Sequence, residues 1–402
     1  MAWREEWLNE SRVSAYSKIL IVFYLAFGIA WIALSKDLVD LRGKPVGYDF
    51  ITFWAASDLA LEGRAVDAYD PVKILAVQQK AVPANTSVYL WHYPPVFHLV
   101  VLPLALLPYL LSCALFIAFT LALYVAYMRR VFPGGHTLLL LLAFPAAFVN
   151  VIHGQNGFLT AVLVAAACLN LERRPVLAGV LIGALCYKPH FGLLFPLVLI
   201  AGRHWVSFAA AALTTAILCA AATVVFGFES WVAFWQNLAL TREVLEAGFL
   251  PWAKMPTVFA AIRMLGGSVT LAYVLQFAAA AAVTVMTVYA WYRGRGSFEL
   301  RVALLTVALL LISPYGFDYD LVILALPIGL LAVDGMRNGW MPGVRTILVV
   351  VWFMPLVMPG IAERISLQFM PVVLLLLFAL VWRRLGTRVH ATAPLKEIAR
   401  AA

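Results

Sequence analysis

Apolar stretches long enough to cross a lipid bilayer recur along this chain, and they constrain its fold more than any other feature. A transmembrane helix needs about 20 apolar residues, whereas a transmembrane β-barrel shows alternating segments of about ten. The runs here do not alternate, and 64% of the 402 residues are hydrophobic while only 12% are charged. Soluble domains carry about twice that share of charge, roughly 25%. The sequence therefore predicts an all-α polytopic membrane protein.

Two polar loops interrupt the apolar runs. The first predicted span is 17–35, and residues 36–92 and 227–262 form the two longest polar segments. The runs predict 12 or 13 membrane helices. The count depends on the two runs between residues 94 and 128. Either they are one long tilted segment that Pro103 and Pro108 break, or one of them is re-entrant.

Short apolar runs characterise residues 153–202. Segments too short to cross a membrane occur where backbone is buried in protein or lines a wet cavity. No internal repeat or appended soluble domain is visible, so residues 1–402 are predicted to form a single integral-membrane domain.

The net charge of +9 is concentrated in short basic clusters between apolar runs. This is the pattern of cytoplasmic loops under the positive-inside rule, and it argues against a nucleic-acid partner. The clusters that define the cytoplasmic side are Arg173–Arg174, Arg203, Arg293–Arg295, Arg337 and Arg383–Arg384. Both long polar loops and most non-basic polar motifs then fall on the extracytoplasmic face of a multi-pass protein of the inner (plasma) membrane.

The first polar loop predicts two short interfacial helices. Asp49 can cap a helix at 50–62, whose apolar residues fall on one face. Asp70 followed by Pro71 is a strong start signal for a second helix at 71–81. Amphipathic helices beside a span are expected to lie in the plane of the interface. Asp49 has a second interpretation, as a general base that takes a proton from an attacking hydroxyl.

Five motifs, in this order and spacing, resemble those of glycosyltransferase family 87. They are YDFITFWAASDLALEGRAVDAYDP, WHYPPVFHLVVLPLALLP, GQNG at 154–157, YKPH at 187–190 and SPYGFDYD at 313–320. The resemblance covers most of the chain to about residue 330. The chain departs from the family pattern at two motifs. The family often has His or Trp in the last motif, where this chain has Tyr315, Phe317, Asp318 and Tyr319. It also often has KPQ or KPT where this chain has Lys188-Pro189-His190.

The resemblance implies an integral-membrane enzyme of the GT-C fold that uses a polyprenyl-phosphate sugar, typically mannose, on the extracytoplasmic side. Its acceptor would be a glycolipid or a growing glycan. Asp49 matches the family's catalytic aspartate. The family requires no cofactor, although some enzymes of this fold class use a divalent metal. Asp49, His92, His153, His190 and Asp318 could converge on a divalent metal, but they have no metal-ligand spacing, so no residue is assigned to a metal.

The donor phosphate needs cations. Lys188 is the only lysine among the short central helices, where an ionisable residue indicates a site, although snorkelling to the interface is an equal alternative. His190 and Arg242 are further phosphate candidates, with Lys254 as a runner-up. The predicted sugar and acceptor contacts are Tyr48, Asp58, His92, Tyr93, Gln155, Asn156, Tyr315 and Asp318. Asp320 is expected to cap the helix at 321–333.

Two other functions are compatible with a polytopic chain. A transporter or flippase would show inverted repeats and polar residues near mid-membrane. A non-catalytic scaffold would scatter Asp49, Lys188 and Asp318 instead of directing them to one cavity. The absence of a repeat and the collection of polar groups on one face favour the enzyme.

Overall fold

The computed structural model describes residues 9–387, and these residues form α-helices and short 3₁₀ turns without a β-strand. The predicted all-α fold is therefore confirmed. The eighteen α-helices of the described range are α1 Glu10–Leu34, α2 Phe50–Leu61, α3 Pro71–Ala81, α4 Val96–Val101, α5 Tyr109–Val131, α6 Thr137–Ala143, α7 Pro145–Ile152, α8 Gly157–Asn170, α9 Pro175–Ala184, α10 Phe195–Ala201, α11 Trp205–Phe226, α12 Glu229–Ala247, α13 Val258–Met264, α14 Val269–Tyr292, α15 Phe298–Leu311, α16 Ala325–Asn338, α17 Val344–Ile365 and α18 Met370–Gly386.

Six helices of the described range are long and apolar enough to cross a membrane. They are α1, α5, α11, α14, α17 and the segment Asp318–Asn338, which joins a 3₁₀ turn to α16. Five shorter apolar helices of 10–17 residues lie between them. The chain is a multi-pass membrane protein, as predicted. The total of 12 or 13 crossings stays a prediction, because it also counts these shorter segments.

The helices of the first polar loop begin where the sequence indicates. Asp70 caps α3 through Oδ1, which accepts hydrogen bonds from the backbone N–H of Val72 at 2.9 Å and of Lys73 at 3.2 Å. Helix α2 is buried on nearly all sides and not along one apolar face, while its placement in the plane of the membrane interface stays a prediction. Its aromatic residues pack against the following loop and helices, with Phe53 in edge-on contact with Trp91 and Phe97.

The central segments are short, as predicted for 153–202. The chain ends α8 at Asn170 and α9 at Ala184, and then makes two 3₁₀ turns, Leu185–Tyr187 and Pro189–Phe191, before α10. Prolines also interrupt the run at 94–108, where α4 ends at Val101 and a 3₁₀ turn, Leu104–Leu106, precedes α5. These breaks place non-helical backbone, and its polar side chains, inside the protein.

Three buried apolar clusters surround the interrupted segments. The largest joins α7 and α8 to α15, α16 and α18. A second surrounds α2, and a third joins the end of α12 to α13 and the start of α14. Tyr187 and Phe234 of the second cluster and Leu245 of the third line a common cavity. The cavity therefore lies between packed apolar clusters that form part of its walls.

Candidate active site

A cavity of about 980 Å³ collects side chains from seven separate parts of the chain, six of which supply most of its lining. Its walls come from the turn before α2, the segment before α4, the turn between α7 and α8, the 3₁₀ turns around Lys188, and the loop after α12. The segment 313–320 closes it. Because these parts are distant in sequence, only the folded chain brings their polar groups together.

Asp49 lies at the cavity wall and does not cap its own helix. Its side chain makes no capping hydrogen bond to α2, so the predicted cap is wrong. Oδ2 instead accepts a hydrogen bond from Gln155 Nε2 at 3.1 Å and lies 3.5 Å from His153 Nδ1. Within the described residues Oδ1 makes no hydrogen bond, and 28% of the side chain is exposed. One carboxylate oxygen is thus held in place while the other stays available.

A glycine allows the turn that carries these partners to approach Asp49. Gly154 has φ of 59°, and a Cβ at that position would lie 2.6 Å from Gly47 O and 2.6 Å from Phe50 Cβ. A side chain would therefore push the turn away from the start of α2. Gly47 has φ of 87°, and Tyr48 also has a positive φ of 40°, which turns the chain sharply just before Asp49.

The His153 ring lies between Asp49 and Lys254. Lys254 Nζ lies 3.3 Å from His153 Nε2. An ammonium group can only donate, so Nε2 accepts, and we assign the remaining ring proton to Nδ1, which faces Asp49. Lys254 and His153 therefore both direct positive potential toward the carboxylate.

This environment keeps Asp49 ionised. Burial alone raises the pKa of the Asp49 carboxyl, but His153, Gln155 and the charge of Lys254 lower it by more, so the pKa lies below its ordinary value. Asp49 is a carboxylate at neutral pH, in the protonation state that a general base requires.

A hydrogen-bonded chain leads from Asp49 deeper into the protein. Gln155 Oε1 accepts from Tyr93 Oη at 3.3 Å, and Tyr93 Oη accepts from Asn156 Nδ2 at 3.0 Å. Asn156 Oδ1 accepts from Lys188 Nζ at 3.0 Å. The amide orientations of both residues are fixed by these partners, so the Gln155 N–H that reaches Asp49 is held by the network behind it.

Lys188 ends this chain in a buried ion pair. Its Nζ lies 2.5 Å from Asp320 Oδ1, and the two side chains are only 4% and 2% exposed. The predicted role of Asp320 as a helix cap is therefore wrong, because its carboxylate faces Lys188 and not the backbone of α16. Asp320 also neutralises the lysine that the sequence singles out for phosphate.

Other cations of the cavity have fewer partners. Lys44 and Lys254 both line it, and their Nζ atoms lie 5.7 and 5.8 Å from the centre of the Tyr48 ring. Within residues 9–387, neither ammonium has a carboxylate within 4 Å. Arg242 also lines the cavity, but it is paired with Glu246 at 2.6 Å. Lys44 and Lys254 are thus the cations most available to an anionic ligand.

A comparison with protein-family models finds a match to glycosyltransferase family 87 over residues 91–314, which is more than half of the chain. The chain belongs to glycosyltransferase family 87. No curated protein and no solved structure match the chain in the corresponding searches. As a family 87 member the protein is a membrane glycosyltransferase, and this favours the enzyme over the transporter and the scaffold considered above.

Within this family 87 chain, the cavity gathers most of the residues that the sequence predicts for the site. Those that line it are Asp49, His92, Tyr93, Gln155, Lys188, His190, Arg242 and Tyr315. Asn156 is fully buried and reaches the cavity only through Lys188 and Tyr93. Tyr48 donates a hydrogen bond to Asp40 at 2.7 Å and is not a lining residue.

Two further predicted sugar contacts do not line the cavity either. Asp58 is paired with Lys80 at 2.9 Å on the far face of α2, outside the cavity lining. Asp318 is 4% exposed and is not a lining residue either, and its Oδ1 has no hydrogen-bond partner within the described range. Among residues 9–387, no group of three or more His, Cys, Asp or Glu could hold a metal ion.

Sequence reasoning missed Lys44 and ranked Lys254 low. Each is an isolated basic residue in a polar loop, and only the fold brings both of them to the Tyr48 ring. The one signal available for Lys44 is its position five residues before Asp49, in a loop predicted to be extracytoplasmic, where lysine is less common.

Proposed function

We propose that this protein is an inverting glycosyltransferase that moves a sugar, most readily mannose, from a polyprenyl-phosphate donor to a hydroxyl of a glycolipid or glycan. The transfer takes place on the extracytoplasmic face of the inner membrane. The observation that carries the proposal is the Asp49 carboxylate at the cavity wall, with Oδ2 held by Gln155 and Oδ1 free to face a substrate.

In the proposed reaction, Asp49 accepts the proton of the acceptor hydroxyl as its oxygen attacks the anomeric carbon. The bond between that carbon and the phosphate oxygen breaks, and polyprenyl phosphate leaves with the electron pair. Attack and departure occur on opposite faces of the sugar, so the anomeric configuration inverts. His153 and Gln155 hold the carboxylate in place during the transfer.

The leaving phosphate requires positive charge near it. Lys254 and Lys44 are the available cations of the cavity, and Arg242 lies at its exposed rim. A direct contact between Lys188 and the phosphate stays a prediction. The buried pair with Asp320 supports a positioning role, in which Lys188 fixes Asn156, and through Tyr93 the orientation of Gln155.

A lipid-linked donor is consistent with the apolar part of the cavity wall. Leu193 and Phe249 line the cavity and yet are 65% and 78% exposed, so this wall extends to the outer surface of the protein. Leu238 and Leu250 continue it inward. Such a wall suits a polyprenyl chain that enters sideways from the bilayer while its phosphate meets the lysines.

The decisive experiment supplies the purified protein with a panel of polyprenyl-phosphate sugars and measures the mass of the extracted lipids. A gain of one hexose with the mannose donor, lost in Asp49→Asn, supports the proposal. Transfer from a nucleotide sugar in the absence of any lipid-linked donor would overturn the donor class. Retention of the anomeric configuration would overturn the mechanism.

A further inference from the structure

A second cavity, of about 600 Å³, lies at the other end of the helices that frame the first. Helix α14 carries Tyr273 in the first cavity and Tyr292 in the second, and α15 carries Arg301 in the second while Ser313 follows it in the first. At about 1.5 Å per residue, these spacings correspond to roughly 18–28 Å along the helices. The second cavity is therefore separate from the candidate active site.

Three arginines dominate the lining of the second cavity. Arg203, Arg293 and Arg301 all contribute to it, together with His204 and a single carboxylate, Glu172. Within the described residues none of the three guanidinium groups lies within 4 Å of a carboxylate. Three arginines beside a single carboxylate leave a net positive charge, which attracts an anion from solution.

The Arg301 side chain is held in place, and some of its guanidinium N–H groups remain without a hydrogen-bond partner in the described residues. Its Nη1 donates to Gly296 O at 3.0 Å, and its guanidinium lies 5.6 Å from the centre of the Trp291 ring. Its Nε is buried and has no hydrogen-bond partner in the described part of the chain. A planar guanidinium with free N–H groups matches the geometry of phosphate oxygens.

The position of the cavity indicates where such a phosphate would come from. It lies at the start of α11 and the end of α14, two of the helices long enough to span a bilayer. Trp205 and Tyr292 at these helix ends are 57% and 65% exposed, as aromatic residues at a membrane surface are. The arginines therefore lie at the level of lipid headgroups, beside helix faces that acyl chains would cover.

We propose that this cavity binds the phosphate headgroup of an anionic membrane lipid through Arg203, Arg293 and Arg301. The acyl chains lie against the exposed apolar faces of α11 and α14. Basic pockets between transmembrane helices bind phosphate headgroups in this way, with each arginine near the surface contributing measurably to the affinity. The site lies at the end of the protein opposite the proposed transfer reaction and takes no part in it.

The test measures lipid binding to the purified full chain in detergent by native mass spectrometry. The probes are phosphatidylglycerol, phosphatidylcholine and diacylglycerol, with inorganic phosphate as a competitor. Arg203→Gln/Arg293→Gln removes two cavity arginines. Arg173→Gln/Arg174→Gln is the matched control, because it removes the same charge at the same end from residues that do not line the cavity.

We expect the wild-type chain to bind phosphatidylglycerol more tightly than the two other lipids. The Arg203→Gln/Arg293→Gln variant should bind phosphatidylglycerol about thirtyfold more weakly than wild type. The control variant should stay within about twofold of wild type. An equal loss in both variants would assign the effect to general surface charge and overturn the proposal. Equal binding of all three lipids would also overturn the proposal. The same holds if inorganic phosphate displaces phosphatidylglycerol at a similar concentration. The single variant Arg293→Gln repeats the test if the double variant fails to fold.

Discussion

Lys188 Nζ and Asp320 Oδ1 lie 2.5 Å apart in the interior of the protein, and 132 residues separate the two in sequence. The pair joins the 3₁₀ turns after α9 to the turn before α16, and Asn156 makes a second polar contact to the same ammonium. It closes the hydrogen-bonded chain that ends at Asp49. The ion pair therefore mainly fixes the positions of Asn156 and, through Tyr93, of Gln155 beside Asp49.

Replacing Lys188 by Met should lower the free energy of unfolding, because the ion pair with Asp320 is structural. The change leaves Asp320 buried without its partner, which costs about 3–5 kcal/mol. The double variant Lys188→Met/Asp320→Leu removes both charges and should recover much of that loss. Thermal unfolding in detergent measures both. A double variant no more stable than the single one would contradict the assignment of the pair as structural.

Asp49→Asn should reduce transfer by at least about a hundredfold, because the amide cannot accept the acceptor proton. The variant should fold, since Gln155 and His153 retain a side chain of the same size to contact. Initial rates with a polyprenyl-phosphate sugar are the measurement. Asp58→Asn is the control, because its carboxylate pairs with Lys80 outside the cavity. A similar loss in both variants would remove the special role of Asp49.

His153→Phe should move the acid limb of the pH–rate profile to higher pH. The wild-type pKa of Asp49 lies below its usual value, so the carboxylate stays ionised, and activity persists, on the acid side of ordinary aspartate titration. Phe keeps the ring contacts with Tyr48 and Tyr319 but removes the nitrogens that lower this pKa. We therefore expect the acid limb to move upward in pH when these nitrogens are removed.

The lowered pKa of Asp49 should also make the free energy of unfolding depend on pH. A carboxyl whose pKa is lowered by folding contributes stability above its unfolded pKa, and that contribution disappears as the pH falls through the folded value. His153→Phe should therefore flatten the acid side of the stability profile. His136→Phe, outside the cavity lining, serves as the control. An unchanged pH–rate profile in His153→Phe would mean that His153 does not act on Asp49.

Lys254→Gln should lower kcat/KM for the donor by roughly tenfold to a hundredfold, the effect of losing one charge-assisted hydrogen bond. The loss should be smaller at high salt, where the wild-type attraction is itself screened. Lys80→Gln is the matched control, since that lysine is exposed and pairs with Asp58. If acceptor KM changes and donor KM does not, the phosphate lies elsewhere in the cavity.

Elements set by neighbouring residues could be predicted from the sequence. The helix predicted at 71–81 is observed as Pro71–Ala81, because Asp70 and Pro71 define its start through contacts within three residues. The short central segments were predicted for a similar reason, since the Gly and Pro that interrupt them act locally. The all-helical fold and the family motifs likewise depend on the chain's own pattern.

The partners of the carboxylates could not be predicted in this way. Asp49 and Asp320 both occupy positions where a capping role is the local expectation, and neither caps a helix. Their oxygens are taken by Gln155 and Lys188, which lie 106 and 132 residues away. A local preference worth about 1 kcal/mol is outweighed by contacts that exist only after the whole chain has packed.

The order in which the ribosome makes these partners has a consequence for biosynthesis. At about 5–20 residues per second, Lys188 is made roughly 7–26 seconds before Asp320, which lies 132 residues later. During that interval the nascent chain holds an ammonium among apolar segments without its counter-ion, although Gln155, the partner of Asp49, has already been made. The cavity lining is therefore complete only after about four-fifths of the chain has been made, and chains truncated before Asp320 should be substrates for membrane proteolysis.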